Sequence, residues 1–102
     1  MLNSKQRASL RGLANTMQPV FQIGKGGVTD EVCRATELAL EARELIKLSV
    51  LETAGMSARE AADAVSEATG ADVVSVIGRK FVLFKIARKP ENRKISAELK
   101  LK

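Results

Sequence analysis

Hydrophobic and polar positions change period several times along this chain, and each change marks an expected boundary. Leu10, Leu13, Ala14 and Met17 recur at helical spacing, so a first helix is expected from a cap at Asn3 or Ser4 to about Asn15. Pro19 stops it. The run Val20-Phe21-Gln22-Ile23 is β-branched and aromatic and is followed directly by glycines, which predicts a short strand. Behind Thr29, a good N-cap, Val32, Ala35, Ala39 and Leu40 restore a helical stripe, with Asp30 and Glu31 suited to the positive end of the helix dipole. This second helix is expected to reach about Ala42.

From Leu45 to Leu51 the period falls to two, with Ile46, Leu48 and Val50 on one face and Lys47 and Ser49 on the other, which predicts a second strand. Gly55 breaks the chain and Ser57-Ala58-Arg59-Glu60 forms a capping box. Ala61, Ala62, Ala64, Val65 and Ala68 then build a third helix that ends at Gly70. Val73 to Ile77 and Phe81 to Ala87 flank Gly78-Arg79-Lys80 and predict an antiparallel hairpin, with Arg79 and Lys80 as the outward side chains of its tip. After Ala87 the chain is polar and Lys-rich, with only Ile95, Leu99 and Leu101 apolar, and is expected to be at most weakly ordered on its own.

The order helix, strand, helix, strand, helix, strand, strand requires crossover connections and therefore some parallel pairing. The expected class is α/β, a small sandwich of a four-stranded mixed sheet with three helices. With 102 residues, 45% of them hydrophobic, the chain fits one compact domain. We draw that domain over residues 2–88 and a basic C-terminal tail over 89–102.

Composition narrows the chemistry. The segment from Met1 carries Lys5, Arg7 and Arg11 and no long apolar stretch, so neither a signal peptide nor a membrane span is expected, and the location should be cytoplasmic. Cys33 is the only cysteine and there is no histidine, which removes an intramolecular disulfide, the usual zinc ligand sets and the commonest acid–base group near neutral pH. Cys33 itself, in line with Thr36 and Leu40, reads as a small buried hydrophobe. The phosphate-loop spacing GxxxxGK[ST] is missing, so no nucleotide triphosphate is expected. Neither catalysis, a cofactor, a metal nor a small-molecule substrate is predicted.

The net charge of +5 is unevenly spread. Residues 1–29 hold four cations and no carboxylate, residues 30–78 four cations against ten carboxylates, and residues 79–102 nine cations against two. Two basic ends flank an acidic middle. If the ends meet they form one face suited to a polyanion; if they do not, they are two solvated charge runs. Between the first strand and the second helix stands Gly24-Lys25-Gly26-Gly27. Glycine there lets a backbone approach closely, and free amides with Lys25 would make a phosphate-sized site. Asp30 and Glu31 weigh against it, and such a loop also serves plain geometry. Phe21, Phe81 and Phe84 all lie in predicted strands, which favours the core over base stacking.

Several segments, taken in order, resemble the CRM domain, the chloroplast RNA splicing and ribosome maturation family. They are Lys5-Gln6-Arg7, Leu10-Arg11, Ala14, Pro19-Val20, Gln22 to Gly27, Leu45-Ile46-Lys47, Ala68-Thr69-Gly70-Ala71 and Ile77-Gly78-Arg79. The resemblance implies a fold similar to the C-terminal domain of a bacterial translation initiation factor. It also implies RNA binding through a basic surface that includes the GxxG loop, and association with precursors of the large ribosomal subunit. Where the family often has histidines and a Tyr-Arg pair, this chain has Asn15, Arg43, Phe84 and Lys85.

The expected RNA-binding residues are Lys5, Arg7 and Arg11 on the first helix, Gly24, Lys25, Gly26 and Gly27 in the loop, and Arg79, Lys80 and Lys85 on the hairpin. Ribosomal RNA is the expected partner and a monomer the expected state. The competing expectation is a module that binds a basic ribosomal protein through the acidic middle.

Overall fold

The computed structural model describes residues 2–99. Its elements are α1 (Ser4–Ala14), β1 (Phe21–Ile23), α2 (Asp30–Arg43), β2 (Leu45–Val50), a 3-10 turn (Glu52–Ala54), α3 (Ala58–Thr69), β3 (Asp72–Ile77), β4 (Lys80–Phe84), a second 3-10 turn (Pro90–Asn92) and α4 (Lys94–Glu98). The strands form one mixed sheet in the order β1-β2-β4-β3. β1 runs parallel to β2, while β4 is antiparallel to both of its neighbours. This is the expected α/β sandwich with one further short helix.

The caps are those that local chemistry favours. Asn3 and Gln6 form a capping box at α1, Ser57 and Glu60 another at α3, and Thr29 Oγ1 accepts from the Val32 amide at α2. Gly70 ends α3 in the left-handed conformation.

Strand alternation divides the core in two. Ile46, Leu48 and Val50 of β2, with Phe81 and Leu83 of β4, meet α2 and α3 through Leu40, Ala61, Ala62 and Val65. The other face presents Leu45, Val74, Val82 and Phe84 to Leu10 and Ala14 of α1. Because α1 is short it covers only part of that second face, and Ile77 at the end of β3 remains 71% exposed.

The segment after Ala87 departs from expectation. Residues 89–99 fold back on the domain, with Ile95 and Leu99 packed against the α1 side of the core. Two carboxylates of α2 hold them. Glu41 accepts from the Arg88 amide at 2.7 Å, the Lys89 amide at 3.1 Å and Asn92 Nδ2 at 3.4 Å. Glu44, fully buried, accepts from the Ala87 amide and Ser96 Oγ at 2.7 Å, the Ser96 amide at 2.9 Å and the Ile95 amide at 3.1 Å. The last two amides open α4, so Glu44 caps a helix that has no side-chain cap of its own. The backbone carbonyl of Glu44 also receives the Lys85 amide, where β4 gives way to the tail. Leu101 lies outside the described residues.

Glu44 sits at φ +65°, a conformation that costs a residue with a Cβ about 1–2 kcal/mol. Four donors to one carboxylate offset that cost. Glu44→Gln, which turns an acceptor into a donor facing amides, should lower stability by about 2–3 kcal/mol in urea unfolding and speed amide exchange at Ile95 and Ser96. A variant as stable as the parent would contradict this assignment.

The Arg88 amide, then the Lys89 amide, hold the Glu41 carboxyl below its ordinary value of 4.5. A depressed carboxyl stabilises the fold above its ordinary value, and the contribution is lost as pH falls through the lowered one. Protection of the Arg88 and Lys89 amides, corrected for intrinsic rates, should therefore drop as pH falls from about 6 towards about 3.

Candidate nucleic-acid interface

The register brings three connections to one end of the sheet. Ile23 is opposite Val50, Ser49 opposite Lys80, and Lys80 opposite Ile77. The GKGG loop leaving β1, the 3-10 turn leaving β2 and the β3–β4 turn therefore sit side by side.

Arg79 joins two of them. Its Nε donates to the Val50 carbonyl at 2.9 Å, and its Nη2 donates to the carbonyls of Leu51 at 2.8 Å and Met56 at 3.1 Å. A planar guanidinium can satisfy several carbonyls at once, and here it ties the hairpin to the segment that follows β2. Arg79 is exposed at the hairpin tip as expected, but its guanidinium is engaged by backbone carbonyls; Gly78, at φ +59°, and Arg79 make the turn.

That braced segment in turn supports the glycine loop. The Gly27 amide donates to the Gly24 carbonyl at 2.9 Å, leaving Lys25 and Gly26 exposed at the corner of the turn. Gly26 has φ +104°, as the third position of a type II turn demands. Gly27 has φ +67° and is buried, and a Cβ there would stand 3.2 Å from Met56 Cε. A Cβ on Gly24 would be in ordinary contact with Leu51, 3.5 Å from its Cδ1. The α2 terminus behind the loop is occupied by its own Thr29 cap and by exposed Asp30 and Glu31.

On the open part of the second sheet face, Arg11 of α1, Lys47 of β2 and Lys80 of β4 line one groove. Lys47 was absent from the expected set. Its signal was the period-two pattern of β2, which set it opposite the apolar positions without saying that this face is left uncovered. Arg11, Lys25 and Lys80 are exposed and Lys47 is half-buried.

The other three expected cations lie elsewhere. Arg7 Nη1 donates to the Val73 carbonyl at 2.6 Å, and Lys85 Nζ donates to the Thr69 carbonyl at the C-terminal end of α3 at 2.7 Å. Lys5 borders a shallow hollow with Gln6 and Leu99. Val73 is four residue steps of about 3.3 Å, roughly 13 Å, from the Ile77 end of β3, and Thr69 closes α3 just before the opposite end of that strand.

The Cys33 thiol is half-buried, and burial, then Asp30 and Glu37, push its pKa up, which disfavours the reactive thiolate. Among the described residues, no group of three or more His, Cys, Asp or Glu side chains could hold a metal, and no helix is long and apolar enough to cross a membrane.

Arg79→Ala should lower the unfolding free energy by about 1–2 kcal/mol, discounted for the exposure of the guanidinium, and Arg79→Lys should recover little of it because an ammonium cannot span the same carbonyls. Gly27→Ala should cost about 1–2 kcal/mol through its left-handed backbone. Thermal denaturation checks both.

The model of the CRS1 / YhbY (CRM) domain matches residues 2–85. The chain is 41% identical over 95 residues to "Probable RNA-binding protein YqeI" of Bacillus subtilis, covering 93% of this chain and 97% of that one. It is 34% identical over 84 residues to an "RNA-binding protein" of Haemophilus influenzae, covering 82% and 85%. Among solved structures it matches SAV1595 of Staphylococcus aureus, a candidate RNA binding protein, with a TM-score of 0.71 and 37% identity over 88% of this chain and 94% of that one. Sequence and fold agree, and this chain belongs to the CRS1/YhbY (CRM) domain family.

Proposed function

We propose that this chain binds RNA without catalysing a reaction, and that its target is ribosomal RNA in precursors of the large subunit. The relatives named as RNA-binding proteins support the first part. The family resemblance to ribosome maturation proteins supports the second. The observation that carries the site is the groove lined by Arg11, Lys47 and Lys80, with exposed Lys25 on the braced loop at the Lys80 end of the sheet.

The mechanism follows from charge and backbone geometry. Arg11, Lys47 and Lys80 attract phosphates to the groove, and the turn at Lys25-Gly26 allows an RNA backbone to come close to protein backbone. Arg79 acts as a positioning residue, because its hydrogen bonds to carbonyls keep the hairpin and the turn after β2 in register. Arg7 and Lys85 also serve backbone carbonyls, whereas Lys5 is available to an RNA that extends along α1.

Four neutralised phosphates give a slope of log K against log salt of roughly −3 to −4. In filter binding to a large-subunit ribosomal RNA fragment, Lys25→Glu should weaken binding and flatten that slope, and Cys33→Ala should leave both unchanged. In sucrose gradients at low salt, the wild type should migrate with large-subunit precursors and Lys25→Glu should not. Co-migration that weakens with salt but is unmoved by Lys25→Glu would point instead to a basic protein held by the acidic side chains.

A further inference from the structure

The groove beside the loop end has a shape that the surface charge does not explain. It lies between the C-terminal end of α1 and strands β2, β4 and β3, and is open to solvent on one side. Its volume is about 150 Å³. A cavity of about 150 Å³ takes up benzene, so a groove of this size holds one six-membered ring. It is well below the roughly 300–1,000 Å³ of drug-sized ligand sites.

Its lining is divided by chemistry. Ala14, Val82 and Ile77 give an apolar wall, and the 71% exposure of Ile77 leaves its surface available for contact. Asn15 and Ser75 add hydrogen-bonding groups of the kind that pair with a base edge. Arg11, Lys47 and Lys80 supply positive charge, and no carboxylate lines the groove.

We infer that this groove receives a single unpaired pyrimidine nucleotide of the bound RNA. Its phosphate meets Arg11, Lys47 and Lys80, its ring lies against Ala14, Val82 and Ile77, and its edge bonds to Asn15 and Ser75. A base inside a duplex cannot reach this position, whereas a bulged base is already free of its partner and turns outward at little cost. A two-ring purine would leave one ring outside the groove, in solvent, and bury a smaller share of its surface. The inference rests on the RNA-binding reading above and gives that site a preference the charges alone do not have.

The test uses three RNA hairpins of one sequence: fully paired, with one bulged uridine, and with one bulged adenosine. Affinities are measured by fluorescence anisotropy for the wild type, for Asn15→Ala/Ile77→Ser and for Lys25→Glu. Both neutral substitutions are at exposed positions, so the fold and the net charge are preserved. The wild type should bind the uridine bulge about tenfold tighter than the paired hairpin, and the adenosine bulge more weakly than the uridine bulge. The double variant should lose the uridine preference while keeping its affinity for the paired hairpin, and Lys25→Glu should weaken all three alike. Equal binding of the three hairpins by the wild type, equal binding of the two bulges, or a preference that survives the double variant would overturn the nucleotide site alone. If the wild type bound none of them, the RNA reading would fall and this inference with it; if Lys25→Glu changed nothing, the placement of the RNA at the glycine loop would fall.

Discussion

The buried carboxylate of Glu44 is the constraint on which much of the remaining architecture depends. It stands where α2 turns into β2, in a left-handed conformation, with no cation among its hydrogen-bond partners. Burying an ion costs several kcal/mol unless donors replace its water, and here three amides and a hydroxyl do so. Those donors all come from residues 87–96, so that segment is tied into the domain by the same interaction that lets α2 hand over to the central strand. Ile95 and Leu99 are then delivered to the core face that α1 leaves partly bare.

The opposite end of the sheet uses the same device with the sign reversed. Arg79 gives its donors to three carbonyls, as Glu44 takes donors from three amides. Backbone groups are plentiful where strands end, and a charged side chain that satisfies several of them holds connecting segments that have little apolar surface. Among the described residues the one ion pair, Arg59 with Asp63, is exposed and within one helix, so ion pairing between the acidic middle and the basic ends does little to build this fold.

This arrangement separates the cations into two kinds. Arg7, Arg79, Lys85 and Arg93 are occupied by backbone carbonyls. Lys25, Lys80 and Arg11 extend from elements that those bonds hold in place, with Lys47 between them. A flexible ligand such as RNA loses less affinity to ordering when the surface it meets is already fixed, so on the proposed reading the occupied cations would contribute to recognition by keeping the others still.

The sequence by itself determined the elements and much of their order. Period, capping boxes and glycine positions depend on neighbours within a few residues, and α1, α2, α3 and the strand pattern of β2 were legible for that reason. The loop Gly24 to Gly27 and its Lys25 were legible too, since a turn is local chemistry. Only the tertiary structure decided that residues 89–99 are ordered, because their few apolar side chains are insufficient alone and their partner carboxylate, Glu44, is about fifty positions away. The same holds for the site: whether a cation binds backbone, as Arg79 does, or faces a groove, as Lys47 does, depends on which sheet face α1 covers. That is set by packing between distant segments, which no local pattern encodes.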